Sequence, residues 1–87
     1  MKKTITSASY HSLVLWLKAC RKEQGLTLRD LGERLDVPHS WVHKVEKMER
    51  RLDVIEYVQM CESLNIDPMQ GIEQLKHKKP IDPFRVQ

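Results

Sequence analysis

The sequence has no apolar run approaching the ~20 residues that a membrane-spanning helix needs. It has two cysteines, Cys20 and Cys61, and no Cys-x-x-Cys spacing, so neither a disulfide framework nor a zinc knuckle is expected. Both cysteines fall on apolar helix faces and are expected to be buried free thiols. No Asn-Gly hairpin signal or sustained alternation of apolar and polar residues occurs, which excludes a paired-strand architecture. The short apolar patch "LVLWL" runs directly into "KACRK", which does not suit a cleavable leader, and a cytoplasmic location is expected. There is no Ser/His/Asp set, no glycine-rich phosphate loop and no pair of catalytic carboxylates, so no enzyme chemistry is expected.

Charge of one sign is missing from two long stretches. Residues 1–22 carry five Lys/Arg and no acid, whereas residues 53–75 carry five acids and no Lys/Arg. Residues 23–52 hold six of each, and residues 76–87 hold four bases and one acid. The net charge is only +3 over 87 residues. A basic front and an acidic back suit a molecule that lays one side on a polyanion.

What is present is helical periodicity. Leu13, Leu17 and Cys20 recur at i, i+4, i+7 and predict a first helix from Ser9 to Glu23, with Gly25 as its C-cap. Leu15 and Trp16 lie off that stripe; they cover Phe84 of the tail or mark a partner surface. Thr27 and Asp30 form a capping pair for a second helix, along which Leu28, Leu31, Gly32 and Leu35 fall on one face. Glycine inside a helix costs ~1 kcal/mol relative to alanine, so Gly32 implies close approach of another backbone. Pro38 suits the first turn of a third helix, Pro38–Lys47. A fourth helix is expected over Asp53–Leu64, with Val54, Tyr57, Val58, Cys61 and Leu64 on its apolar side. Pro68–His77 makes a fifth. The expected organisation is a basic arm over 1–8, one all-α domain over 9–77 and an extended tail over 78–87. The second and third helices are only a few residues apart, the arrangement of a helix-turn-helix.

The segment "DVPHSWVHKVEKMERR" is the most informative. At about 100° per residue, His39, Ser40, His43, Lys44 and Lys47 share an arc about 140° wide. Val42 and Val45 fall opposite, able to pack on Leu31 and Leu35, with Trp41 at the border. An outward arc rich in donors and free of acids suits a helix in a DNA major groove, where donors meet base acceptors and cations meet phosphates. Arg50 and Arg51 extend the cationic edge. His39 and His43 also have the i, i+4 spacing of a metal pair, but no nearby Cys or acid pair supplies the remaining ligands. Neither metal nor cofactor is expected.

The segments "LVLWLKACRKEQGLT", "LRDLGERLDVPHSWVHKVE" and "ERRLDVIEYVQMCESLNIDP", in that order and spacing, resemble the Cro/repressor-type (XRE-like) helix-turn-helix family over residues 13–66. The resemblance implies a compact five-helix domain whose third helix reads DNA, usually as a homodimer on an inverted repeat. The family's small second-helix residue falls on Gly32. Its first-helix Arg and third-helix Glu, which tend to pair as a brace, fall on Arg21 and Glu46. Base-reading positions fall on His39, Ser40 and Lys44, with His43 on the same arc. Phosphate-contacting positions fall near Leu28, Arg29 and the loop after the third helix, which adds Lys47, Arg50 and Arg51; Trp41 at the arc's border either packs partly buried or contacts a phosphate or sugar. The chain departs from the family pattern at Asp36 and Met48, where Gly is usual, at Pro38, where a Ser/Thr cap is usual, and at Leu28, where a polar residue is usual. A homodimeric repressor on double-stranded DNA is therefore expected; Met69, Ile72 and Leu75, which recur at i, i+3, i+6, either meet their copy as dimer candidates or close the monomer's own core. The alternative is an antitoxin or other regulator that also binds a protein partner, through the "LVLWL" face or the "IDPFRVQ" tail.

Overall fold

The computed structural model describes residues 8–76, and helices are the regular elements there. They are α1 (Ala8–Glu23), α2 (Leu28–Leu35), α3 (His39–Glu46), α4 (Val54–Ser63) and α5 (Pro68–Lys76). Ala8, expected at the end of the arm, begins α1 instead, while residues 1–7 and 77–87, with Phe84, lie outside the described residues. The expected helices are all found, with ends differing by about one residue. Pro38 stands immediately before α3 rather than inside it, with φ −63° and ψ 149°.

Each of α1 to α4 ends in the same way. A residue just past each helix turns left-handed: Asp36 (φ 61°) directly after α2, and Gly25 (74°), Met48 (67°) and Asn65 (57°) as the second residue after α1, α3 and α4. The following N–H then reaches back five residues: Leu26 to Arg21 O (3.1 Å), Val37 to Gly32 O (2.9 Å), Glu49 to Lys44 O (2.8 Å) and Ile66 to Cys61 O (3.0 Å). This double bond pattern satisfies the orphan carbonyls of the last turn. Asp and Asn visit the left-handed region readily, whereas Met48 carries the usual Cβ penalty of about 1–2 kcal/mol. The missing glycine after α3 thus changes the strain of that stop and leaves its geometry intact.

The starts of α2 and α4 are fixed by reciprocal capping. Asp30 N donates to Thr27 Oγ1 (3.0 Å) and Thr27 N to Asp30 Oδ2 (2.8 Å). Glu56 N donates to Asp53 Oδ1 (2.8 Å) and Asp53 N to Glu56 Oε1 (3.0 Å). These bonds favour the ionised carboxylates. Asp30 is held below its ordinary range by the Thr27 backbone N–H and then by its hydroxyl. Glu56 is held down first by the Arg50 guanidinium and then by the Asp53 N–H. Folded values below the unfolded ones mean that the unfolded chain takes up these protons first. The stabilisation is therefore present above the unfolded carboxylate range of about pH 4 and is lost as pH falls through the lower folded values. Thermal melts in a pH series should show the midpoint falling steadily below about pH 4. A midpoint that stays constant through that range would contradict the capping account.

Leu13, Leu17, Leu31, Val42, Val45, Tyr57, Met60, Cys61 and Leu64 form one buried cluster from α1 to α4 and the turn after α4. One expectation for α4 is corrected, and one buried residue is added. Val54 is 75% exposed, because the first turn of α4 overhangs the core, and Met60 is buried in its stead. Cys61 is buried, but Cys20 is only half-buried, at the edge of the α1 stripe. Burial pushes both thiols above their ordinary range, which keeps them protonated. Helix α5 is held by Tyr57, whose hydroxyl donates to Pro68 O at 2.5 Å. Gly71 sits where an added Cβ would overlap Tyr57 Oη, Leu13 and Trp16. Trp16 therefore packs on α5, whereas Leu15 is half exposed. No helix among the described residues is long and apolar enough to cross a membrane.

Candidate nucleic-acid interface

Three residues, Asp36 to Pro38, join α2 to α3. The two helices meet closely at Gly32, where an added Cβ would lie 2.8 Å from Val37 O and 3.3 Å from His39 Cα. No side chain fits there without moving backbone, which is the close approach that the sequence implied. Val42 and Val45 point inward and are fully buried. His39, Ser40, His43, Lys44 and Lys47 are all exposed on the opposite side of α3, while Trp41 is half-buried and the Glu46 side chain buried at its flanks. One helix thus carries a dry face that fixes it and a wet face that presents donors.

Two guanidinium groups anchor α3 from either flank. Arg21 of α1 donates from Nε to Glu46 Oε2 at 2.7 Å and from Nη2 to Glu46 Oε1 at 3.0 Å. Its Nη1 donates to Leu26 O at 2.7 Å, so the same group also pins the α1–α2 turn. Both side chains of this pair are 8% exposed. Arg50 lies over the Trp41 ring, 4.7 Å from its centroid. It also donates to Glu56 Oε1 and Oε2, each at 2.9 Å, and to Arg51 O at 3.0 Å.

The remaining sequence-selected residues fall into two groups. Arg29, Lys47 and Arg51 are exposed around α3, while Leu28 is half-buried at the start of α2. Lys47 lies 3.9 Å from Glu49, a loose pair with both side chains more than half exposed, of the kind that contributes ~0–1 kcal/mol. Of the dimer candidates on α5, Met69 is 58% and Ile72 36% exposed, whereas Leu75 is half-buried against the core. Among the described residues, no group of three or more His, Cys, Asp or Glu is placed to hold a metal ion.

Sequence reasoning missed the bonds that hold the loop after α3. The Asp53-x-x-Glu56 spacing is a readable capping box, but nothing in the spacing ties Arg50 to Glu56. The bonds from Leu52 N to Tyr10 Oη (3.0 Å), Gln24 Nε2 to Leu64 O (2.6 Å) and Arg34 Nη1 to Ser63 O (2.8 Å) were equally unsignalled. The exposed Ile55, at 65%, went unremarked beside Val54.

Comparisons with known proteins agree with this geometry. The helix-turn-helix family model HTH_3 matches residues 17–69, which includes α2, α3 and α4 entire. An XRE-family like protein from Pseudomonas syringae pv. tomato has a structure similar to this one at a TM-score of 0.79, with 39% identity over 88% of this chain and 94% of that one. The restriction-modification controller protein C.Esp1396I is similar at 0.71, with 20% identity over 79% of this chain and 90% of that one. The clp gene regulator ClgR from Corynebacterium glutamicum is similar at 0.70, with 19% identity over 79% and 73%. The last two share the fold alone. No curated protein sequence matches the chain. The family match over more than half of the chain and the relative at 39% identity lead to one conclusion: the chain belongs to the XRE-type helix-turn-helix family of DNA-binding regulators.

Proposed function

We propose that this protein is a cytoplasmic, homodimeric repressor that binds an inverted-repeat operator with α3 in the major groove. The observation that carries this reading is the outward face of α3: five exposed donor side chains and no acid, on a helix whose other face is buried and whose flanks are anchored. Lys44 donates to guanine O6/N7, and His39 to a purine N7 or a phosphate, with Ser40 and His43 on adjacent base edges. Around them, Arg29, Lys47 and Arg51 serve phosphates, as do the first-turn N–H at Leu28, which has no partner within the helix, and the exposed edge of Trp41. Each neutralised phosphate releases counterions, so affinity should fall steeply with salt.

One recognition helix reads too few base pairs to select a site in a genome, and a two-fold dimer doubles the readout. The acidic α4–α5 side faces away from a polyanion most favourably, and Met69 and Ile72 give it an exposed apolar edge. Met69→Lys should yield a folded monomer by sedimentation, with unchanged helicity and lost operator binding. A dimer with normal binding would remove Met69 from the interface. Selection of bound sites from random DNA tests the whole reading. It should return an inverted repeat whose half-site centres lie about 34 Å, one helical turn, apart. Recovery of unrelated sequences with no common repeat would contradict it.

A further inference from the structure

Arg50 is positioned in the loop after α3 as if to extend the cationic edge toward DNA, yet its guanidinium is engaged by Trp41, Glu56 and Arg51 O, although the side chain stays 37% exposed. We infer that Arg50 is a positioning residue for base recognition, acting through Trp41 and Glu56 rather than on the phosphate backbone. The inference rests on the reading of α3 as the DNA-contacting helix.

Three lines of geometry support it. First, the planar group is used on both its face and its edge. The face covers Trp41, and three of the five N–H donors of an arginine already go to Glu56 and Arg51 O. A phosphate oxygen would have to displace a bidentate carboxylate, the acceptor that best matches the guanidinium fork. Second, Arg50 and Glu56 together are a neutral pair. A pair of zero net charge attracts no phosphate at long range and releases few counterions on binding. Third, the residue joins the parts that must keep register. Its backbone N–H donates to Lys44 O at 3.2 Å, on the reading helix itself. Its guanidinium bridges the ring of Trp41, next in sequence to Ser40, and the carboxylate of Glu56. Glu56 in turn accepts the Asp53 N–H and so fixes the start of α4. Rotation of α3 about its own axis, which would move Ser40 and Lys44 off their bases, is opposed by Arg21–Glu46 on one flank and by Trp41–Arg50–Glu56 on the other.

The test compares Arg50→Ala with Arg50→Lys, which keeps the charge and loses the planar fork. Affinities for the selected operator and for random DNA are measured across a salt series. Both variants should lose roughly tenfold on the operator, with random-DNA affinity and the salt slope nearly unchanged. In a Trp16→Phe background Trp41 is the sole tryptophan, and its emission should move to the red in Arg50→Ala as the ring face opens to water. A phosphate role would instead leave Arg50→Lys close to wild type and lower the slope in Arg50→Ala by about 0.9 per phosphate lost, which overturns the inference. Equal losses on operator and random DNA, tracking a lowered melting temperature, would reduce Arg50 to general fold support and also overturn it. A wild-type protein without sequence preference would remove the reading of α3 and any positioning role with it. A shifted Trp41 emission would then show that the clamp exists but serves no base recognition.

Discussion

Arg21→Ala should destabilise the protein by about 3–5 kcal/mol, the range found when one partner of a buried ion pair is removed. The reason lies in what remains. Glu46 would be left at a position where its side chain is 8% exposed, with both guanidinium bonds gone. Leu26 O would lose a 2.7 Å donor in the turn that leads to α2. A domain of this size is stable by only about 5–15 kcal/mol in total, so the melting temperature should fall by tens of degrees, at about 4–8 °C per kcal/mol. The double variant Arg21→Met/Glu46→Leu should recover much of the loss, because no charge is left buried and the space stays filled. Thermal melts of the two variants beside the wild type check this. An unchanged midpoint in Arg21→Ala would show that the pair does not brace α3.

The helices and the donor-faced third helix could be read in the sequence because burial leaves a period. Leu31 and Gly32 on α2 and Val42 and Val45 on α3 repeat at helical spacing, and their faces are the buried ones. Gly32 could be read because a helix-interior glycine is costly unless something needs the space. Val54 misled because a wheel shows which side an apolar residue takes but not how far along the axis the neighbouring helices extend. Trp16 was ambiguous for a related reason: its partner Gly71 has no side chain to signal a hydrophobic contact. Methionine itself gives no sign of the left-handed backbone at Met48, which only the glycine usual there in the family pointed to, because the bonds on either side impose that conformation. Arg50 was the least legible. A long cation after a recognition helix suits a phosphate equally well, and only the orientation of its guanidinium distinguishes the roles. The Arg21–Glu46 pair, 25 residues apart in sequence, was accessible only through the family resemblance.

Lys44→Ala should abolish discrimination at one base pair of each half-site. Lys44 is exposed on the Trp41 side of the outward arc, and its ammonium can reach two guanine acceptors on one base edge. A good contact of this kind is worth about 1–3 kcal/mol, and a symmetric dimer loses it twice. The effect on a full operator is thus expected to be about 2–6 kcal/mol if the half-sites contribute independently, large against the loss of one surface charge. The decisive measurement is a competition series with wild type and Lys44→Ala against three DNAs at one salt concentration: the selected operator, the operator with one base pair changed symmetrically at each position in turn, and random sequence. The account predicts that the wild type is penalised at every reading position, and that Lys44→Ala becomes indifferent at one position while keeping the others and most of its random-DNA affinity. Equal loss on operator and random DNA, with the full pattern of penalties retained, would contradict a base-reading role for the outward face of α3.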